Sequence, residues 1–309
     1  MSTRYGFLGP TGTFTEMALR QSSRVAEHDD AERIPFTSVD AALAALRAGD
    51  LEAAMVPIEN SVEGGVSATL DALASGEPLV VVGEQVVPIN FVLAAPSGIA
   101  LADIRTVSTH PHAWAQVRAW MAANLPDADY LPGASTAAAA AGLAGERPAY
   151  QAAVCAPGAA ANHGLAILQE DIGDNRGAVT RFVLVARPGQ LPAPTGADKT
   201  SVVLFQREDH PGGLLELLEQ FATRGINLTR IESRPTGGRL GDYCFSIDCE
   251  GHVSDERLGE TLMGLRRVCA EVRFLGSYPR ADGVEAHVSP GTGDKDFVGA
   301  RAWLQGLRG

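Results

Sequence analysis

LEAAMVPIENSVEGGV, residues 51–66, is the stretch on which the reading of this chain turns. Its first half, Leu51–Ile58, is an apolar run with β-branched Val56 and Ile58, and it has the length of a buried strand. Three hydrogen-bonding side chains follow in succession: Glu59, Asn60 and Ser61. Gly64 and Gly65 then permit a sharp turn, or a close approach of backbone, before the next helix. Open α/β sheets build ligand sites at the C-terminal ends of buried strands, and a carboxylate, an amide and a hydroxyl delivered there suit that use. The same residues also suit a polar strand-to-helix loop with a serine N-cap. Local physics leaves both readings open.

Working outward, strand and helix signals alternate through the first 186 residues. Tyr5–Leu8 reads as a strand, and GPTGTFTE opens a helix to about Ser23. Helices are expected over Ser38–Ala48, Val66–Ala74, His112–Ala123 and the alanine-rich Ser135–Leu143. Strands are expected over Leu79–Val82, Ile89–Ala94, Arg105–Ser108, Ala149–Cys155 and Val179–Ala186. Such alternation predicts mostly parallel sheets flanked by helices. A break near Gly76–Pro78 suggests two α/β lobes with a cleft between them, and clefts of that kind are favoured ligand sites. Residues 187–198, RPGQLPAPTGAD, hold three prolines and two glycines and read as a linker. Beyond it the order changes to strand Thr200–Gln206, helix Gly213–Arg224, strands Ile226–Ser233 and Tyr243–Cys249, helix Asp255–Val268 and strand Glu271–Tyr278. That is βαββαβ, the ferredoxin-like order. In the tail, residues 281–294 are polar and glycine-rich, and a short amphipathic helix is expected over Phe297–Leu307.

The 309 residues are 45% hydrophobic and 20% charged, which is globular composition, and the length suggests two domains or three compact units. A net charge of −12 and a pI near 5.0 argue against nucleic acid or an anionic membrane as main partner. An anionic small molecule would need local arginines or backbone N–H groups. The N-terminus lacks a signal-peptide core and no run reaches membrane-spanning length, so a cytoplasmic protein is expected. Cys155, Cys244, Cys249 and Cys269 form no CxxC pair and are expected to be reduced and buried. His110 and His112 lack a third ligand at a recognisable spacing, so no metal is expected.

Two resemblances follow from these motifs. DHPGGLLELLEQFATRGINLTRIESRP, 209–235, resembles an ACT domain, a module that binds amino acids as effectors. GPTGTFTEMA (9–18), VPIENSVEGGV (56–66), THPHAWAQ (109–116) and DNRGAVTRFVLVA (174–186) together resemble the catalytic domain of prephenate dehydratases. The resemblance implies a monofunctional bacterial form. Its fold would be an α/β two-lobed, periplasmic-binding-protein-like catalytic domain over 1–186, a linker over 187–198, and an α+β ferredoxin-like ACT domain over 199–280. The tail is 281–309. The implied reaction is the decarboxylating dehydration of prephenate to phenylpyruvate, carbon dioxide and water in phenylalanine biosynthesis. L-Phenylalanine would regulate it through the ACT domain, in a homodimer or homotetramer formed through ACT domains. Arogenate dehydration and a non-catalytic amino-acid sensor are the alternatives.

The resemblance also carries residue roles. Thr180 would give a proton to the departing hydroxyl, with Glu59, Asn60, Ser61 and Gln116 beside it. Thr11, Thr13, Ser135 and Thr136 open two helices whose N-termini favour an anion, although capping explains each singly. Thr109 and Gln116 would share one helix face, seven residues being two turns. Period-two alternation puts Thr180 and Phe182 on one strand face and Arg181 on the other. Arg181 would then reach substrate only through a distorted strand, and otherwise anchor neighbouring backbone or carboxylates. The expected phenylalanine site comprises Gly212, Gly213, Leu214, Leu215, Asn227, Leu228, Glu232 and Ser233; Gly213 stands where the family usually has alanine. None of these roles calls for a metal or organic cofactor.

Overall fold

The computed structural model describes residues 3–28, 30–145, 148–237 and 243–309. Internal contacts divide the chain into two compact units, residues 1–66 with 85–182, and residues 67–84 with 183–309.

The first sheet is built from β1 (Arg4–Leu8), β2 (Glu32–Phe36), β3 (Ala53–Asn60), β4 (Gly64–Gly65), β5 (Val80–Pro88) and β11 (Val179–Ala186), in the order β2-β1-β3-β11-β5 with β4 on β3. Strands β1, β2 and β3 run parallel. Helices α1 (Phe14–Gln21), α2 (Ser23–Ala26) and α3 (Val39–Ala48) accompany it, while α4 (Ser67–Ala74) falls in the second unit. Helix α3 shows why the sequence folds so. Ser38 caps it by accepting from the Ala41 N–H at 3.1 Å, Leu43 and Leu46 are buried at the helical spacing, and Gly49 ends it at φ 87°.

The second sheet runs β10 (Ala166–Gln169), β6 (Val92–Ala95), β9 (Ala152–Cys155), β7 (Thr106–Thr109), β8 (Asp129–Pro132). Helices α5 (Pro111–Ala115), α6 (Arg118–Asn124), α7 (Thr136–Leu143) and α8 (Pro157–Asn162) accompany it. Its core packs Leu93, Val107, Val154, Val117 and Met121 together, each worth roughly 1.5–3 kcal/mol if fully buried. The expectation of mostly parallel strands needs correction here: β6 is antiparallel to β9, and β10 to β6. Both follow from the chain's route, because β6 is where it enters this sheet and β10 where it leaves. The entry comes after Pro88, not at Gly76–Pro78, which lies in the α4–β5 loop.

The second unit is the expected βαββαβ: β12 (Asp198–Phe205), α9 (Gly213–Ala222), β13 (Leu228–Pro235), β14 (Tyr243–Glu250), α10 (Glu256–Val268) and β15 (Glu271–Pro279), followed by α11 (Asp294–Arg308). Sheet order is β13-β14-β12-β15, antiparallel throughout. Val202, Leu204, Ile247, Leu217, Phe221, Leu258 and Leu265 form its core. Residues 67–84 belong to this unit as well. Gly276, at φ 116°, lies so close to the Val81 backbone that any Cβ would collide with it. Arg234 grips Asp71 through two hydrogen bonds of 2.9 and 2.8 Å. The four cysteines are free and buried, and burial pushes the Cys155 thiol up to about 12 and the Cys269 thiol to about 11.

Candidate active site

Strand β3 ends at Asn60, and the turn after it fixes the Asn60 side chain. Asn60 Oδ1 accepts from the Val62 N–H at 2.8 Å and the Glu63 N–H at 3.2 Å. Those donors determine the amide's orientation, so Nδ2 must point the other way. There it donates to Thr180 Oγ1 at 2.8 Å. The threonine oxygen therefore accepts, and its own proton is left to be donated. Ser61 fastens the same region: its N–H donates to the Val179 carbonyl and its Oγ accepts from the Val179 N–H, both at 2.9 Å. The serine hydroxyl thus holds the strand residue before Thr180 and does not line the pocket. Glu59 lies 3.7 Å from Arg181, whose side chain is buried. Thr180 and Phe182 line the pocket while Arg181 does not.

The pocket holds about 210 Å³. Phe14, Phe91, Phe182 and Ile89 give it an apolar wall, with Phe14 against Phe91 edge-on at 5.8 Å. Gln116 enters from a break between helices. One continuous helix over His112–Ala123 was expected, but the structure ends α5 at Ala115 and caps it with Gln116. The Gln116 carbonyl accepts from the Asp174 N–H at 2.7 Å, and the Asp174 carboxylate caps α6 by accepting from Ala119 and Trp120 N–H groups at 2.9 and 3.1 Å. The interruption aims the glutamine side chain into the pocket, where Oε1 is buried without a hydrogen-bond partner among the described residues. His110 and His112 also line the pocket. His110 Nδ1 accepts from the His112 N–H at 3.2 Å. Burial, and then the neighbouring His112, hold the His110 pKa below the usual imidazole range.

Among the described lining residues there is no lysine or arginine. Electropositive character comes from helix N-termini: Thr13, Phe14 and Thr15 open α1, and Ser135 and Thr136 open α7. Both caps are made, Ser135 Oγ accepting from the Ala138 N–H at 2.9 Å and Thr13 Oγ1 from the Glu16 N–H at 3.4 Å. Two expectations are corrected. Thr11 is exposed and outside the pocket, and the adjacent Gly12 N–H is taken by Glu16 at 2.6 Å. Thr109 is not on a helix with Gln116 but ends β7, fully buried, its hydroxyl donating to the Val154 carbonyl at 2.7 Å.

In the second unit, Gly212 caps α9 at φ 89°, a conformation that favours glycine. A Cβ at Gly213 would meet the end of the Gln206 side chain, which would have to shift. Leu214 and Leu215 are exposed on α9, and Leu228, Glu232 and Ser233 lie on β13, an edge strand. The Asn227 carbonyl accepts from the Glu250 N–H at 3.0 Å. Of these expected effector residues only Gly213 lines a cavity of about 330 Å³, beside Gln206, Arg207 and His210. The other seven expected residues do not line that cavity.

The prephenate dehydratase family model matches residues 5–190, and the ACT domain model residues 201–267. A prephenate dehydratase of Amycolatopsis methanolica is 46% identical over 308 residues, 99% of this chain and 98% of that one. The chain belongs to the prephenate dehydratase family. The crystal structure of prephenate dehydratase from Arthrobacter aurescens, in complex with L-Phe, shares 58% identity with a TM-score of 0.94 over 99% of this chain and 100% of that one. A structure described as GqqA, a novel type of quorum quenching acylase, shares 31% identity with a TM-score of 0.78 over 89% and 97%. Membership makes the chain a prephenate dehydratase in the hydro-lyase class, with an ACT regulatory domain. Sequence reasoning missed Asp174, although it opens the DNRGAVTRF motif, and it weighed His110 and His112 only as metal ligands.

Proposed function

We propose that the pocket around Thr180 dehydrates prephenate, with the Thr180 hydroxyl as proton donor to the departing ring hydroxyl. The observation that carries this is the Asn60–Thr180 hydrogen bond. An amide donor on Oγ1 leaves the hydroxyl proton facing outward and makes it easier to give up. Its partner is a donor, not a base, so the hydroxyl is set to give a proton rather than to attack a carbonyl. This supports lyase over acyl-transfer chemistry. As the C–O bond breaks, the hydroxyl leaves as water, the ring carboxylate leaves as carbon dioxide and its bonding electrons complete the aromatic ring. Thr180 regains its proton from solvent, so one proton is consumed per dianion. Positioned proton donation contributes typically about 10²–10⁴-fold, and orientation and pocket electrostatics supply the rest.

Gln116 Oε1, buried and unpartnered, accepts a substrate hydroxyl or protonated group. The α1 and α7 N-termini take a carboxylate, and the phenylalanines flank the ring. Glu59, Ser61 and Arg181 hold the two strands that carry Asn60 and Thr180. The catalytic role is assigned to 1–186 and the regulatory role to 199–280, joined by 187–198. L-Phenylalanine binds at the α9 N-terminus with Gly212, Gly213, Leu214 and Leu215 and meets Asn227, Leu228, Glu232 and Ser233. Because the other seven do not line the cavity beside Gly213, a second copy completes the site in a homodimer or homotetramer. Among the described residues no helix is long and apolar enough to cross a membrane; we place the enzyme in the cytoplasm. The test is phenylpyruvate formation from prephenate, with and without phenylalanine. Turnover suppressed by phenylalanine is expected; folded protein that leaves prephenate intact overturns the reading.

A further inference from the structure

The turn after β3 does more than orient Asn60. Its last residue, Glu63, is held by the Asn60 side chain through its N–H. The Glu63 carboxylate reaches two pocket residues of α5 and its cap. Oε2 lies 2.8 Å from His112 Nδ1, and Oε1 accepts from Gln116 Nε2 at 3.4 Å. A carboxylate can only accept, so it draws the amide nitrogen of Gln116 toward itself and turns Oε1 the other way. That is the oxygen found buried without a partner. A single four-residue turn therefore serves both sides of the pocket, Thr180 through the Asn60 amide and Gln116 through the Glu63 carboxylate.

We propose that Glu63 is a positioning residue that fixes the Gln116 carboxamide with Oε1 toward the substrate, His112 Nδ1 holding the other carboxylate oxygen. The proposal rests on the dehydratase reading of the pocket. With Oε2 held by His112 Nδ1, Glu63 Oε1 is left to face the Gln116 amide.

The experiment is steady-state turnover of prephenate by the full chain and by Glu63→Ala, Glu63→Gln, Gln116→Ala and the Glu63→Ala, Gln116→Ala double variant. Wild-type turnover tests the dehydratase reading by itself. Given turnover, Glu63→Ala is expected to lower kcat at least about tenfold without raising KM, and to change kcat less than about twofold in the Gln116→Ala background. Glu63→Gln, whose amide oxygen can still accept from Gln116 Nε2, is expected to retain more of kcat than Glu63→Ala. A kcat within about twofold of wild type in Glu63→Ala, equal losses with and without Gln116, or a Glu63→Gln no better than Glu63→Ala overturns the positioning role.

Discussion

At the scale of the residue, the decisive feature is that Thr180 accepts from Asn60 and keeps its own proton free. Thr180→Ala should lower kcat by about 10²–10⁴-fold while costing stability only about 1 kcal/mol, the usual worth of one hydrogen bond. Thr180→Ser, which retains the hydroxyl, should restore most of the turnover. Steady-state kinetics beside thermal melting checks this; a loss of activity that tracks a loss of folded protein would count against the role. Asn60 and Thr180 are legible because each stands in a short motif at a strand end. Thr109 is not. A threonine at a strand terminus can face a ligand or bond a neighbouring carbonyl, and only the register of β7 beside β9 shows that Val154 takes its hydroxyl. Glu63 and Asp174 are hidden for a related reason: each acts on partners some fifty residues away in sequence.

At the scale of the element, most strands announce themselves, the edge strands β5, β13 and β15 among them. β2, β8 and β10 escape the hydrophobic pattern, and each lies at a sheet edge. β2 reads ERIPF, with a proline that only an edge tolerates easily. The α5–α6 break is equally invisible in the helical periodicity of 112–123, because a distant carboxylate makes it. Asp174→Ala should remove the α6 cap, costing about 0.5–2 kcal/mol. In a chain of this size that lowers the melting temperature by about 2–4 °C per kcal/mol. It should also loosen Gln116 and reduce kcat, whereas Asp174→Asn, still a competent cap, should recover much of both. An unchanged melting curve for Asp174→Ala would show that α6 does not depend on this cap. Equal kcat in the alanine variant and wild type would show that Gln116 is aimed by other means.

At the scale of the whole molecule, function and compactness divide the chain differently. Composition points to the proline-rich 187–198 as the seam, and the boundary between the family matches, after residue 190 and before 201, falls at or just beyond it. Contacts instead assign 67–84 to the C-terminal unit. The reason is chemical. Lys199 Nζ donates to both oxygens of Glu84 at 3.1 Å, and Glu84 Oε1 also accepts from the Ala281 N–H at 2.9 Å, with the carboxylate side chain only 2% exposed. No local pattern reveals such a pair, since its members are 115 residues apart. Within this unit the pair fastens β5 to β12. Removing one partner leaves a buried charge uncompensated, so Lys199→Met should destabilise by about 3–5 kcal/mol. Lys199→Met with Glu84→Gln should recover part of that loss, because a neutral amide costs far less to bury than a bare carboxylate. Urea unfolding of the two variants and wild type measures both terms. If the double variant were no more stable than Lys199→Met alone, the loss would lie in lost lysine packing and not in the stranded charge. The attachment of 67–84 to its unit would then rest on Arg234–Asp71 and the close approach at Gly276.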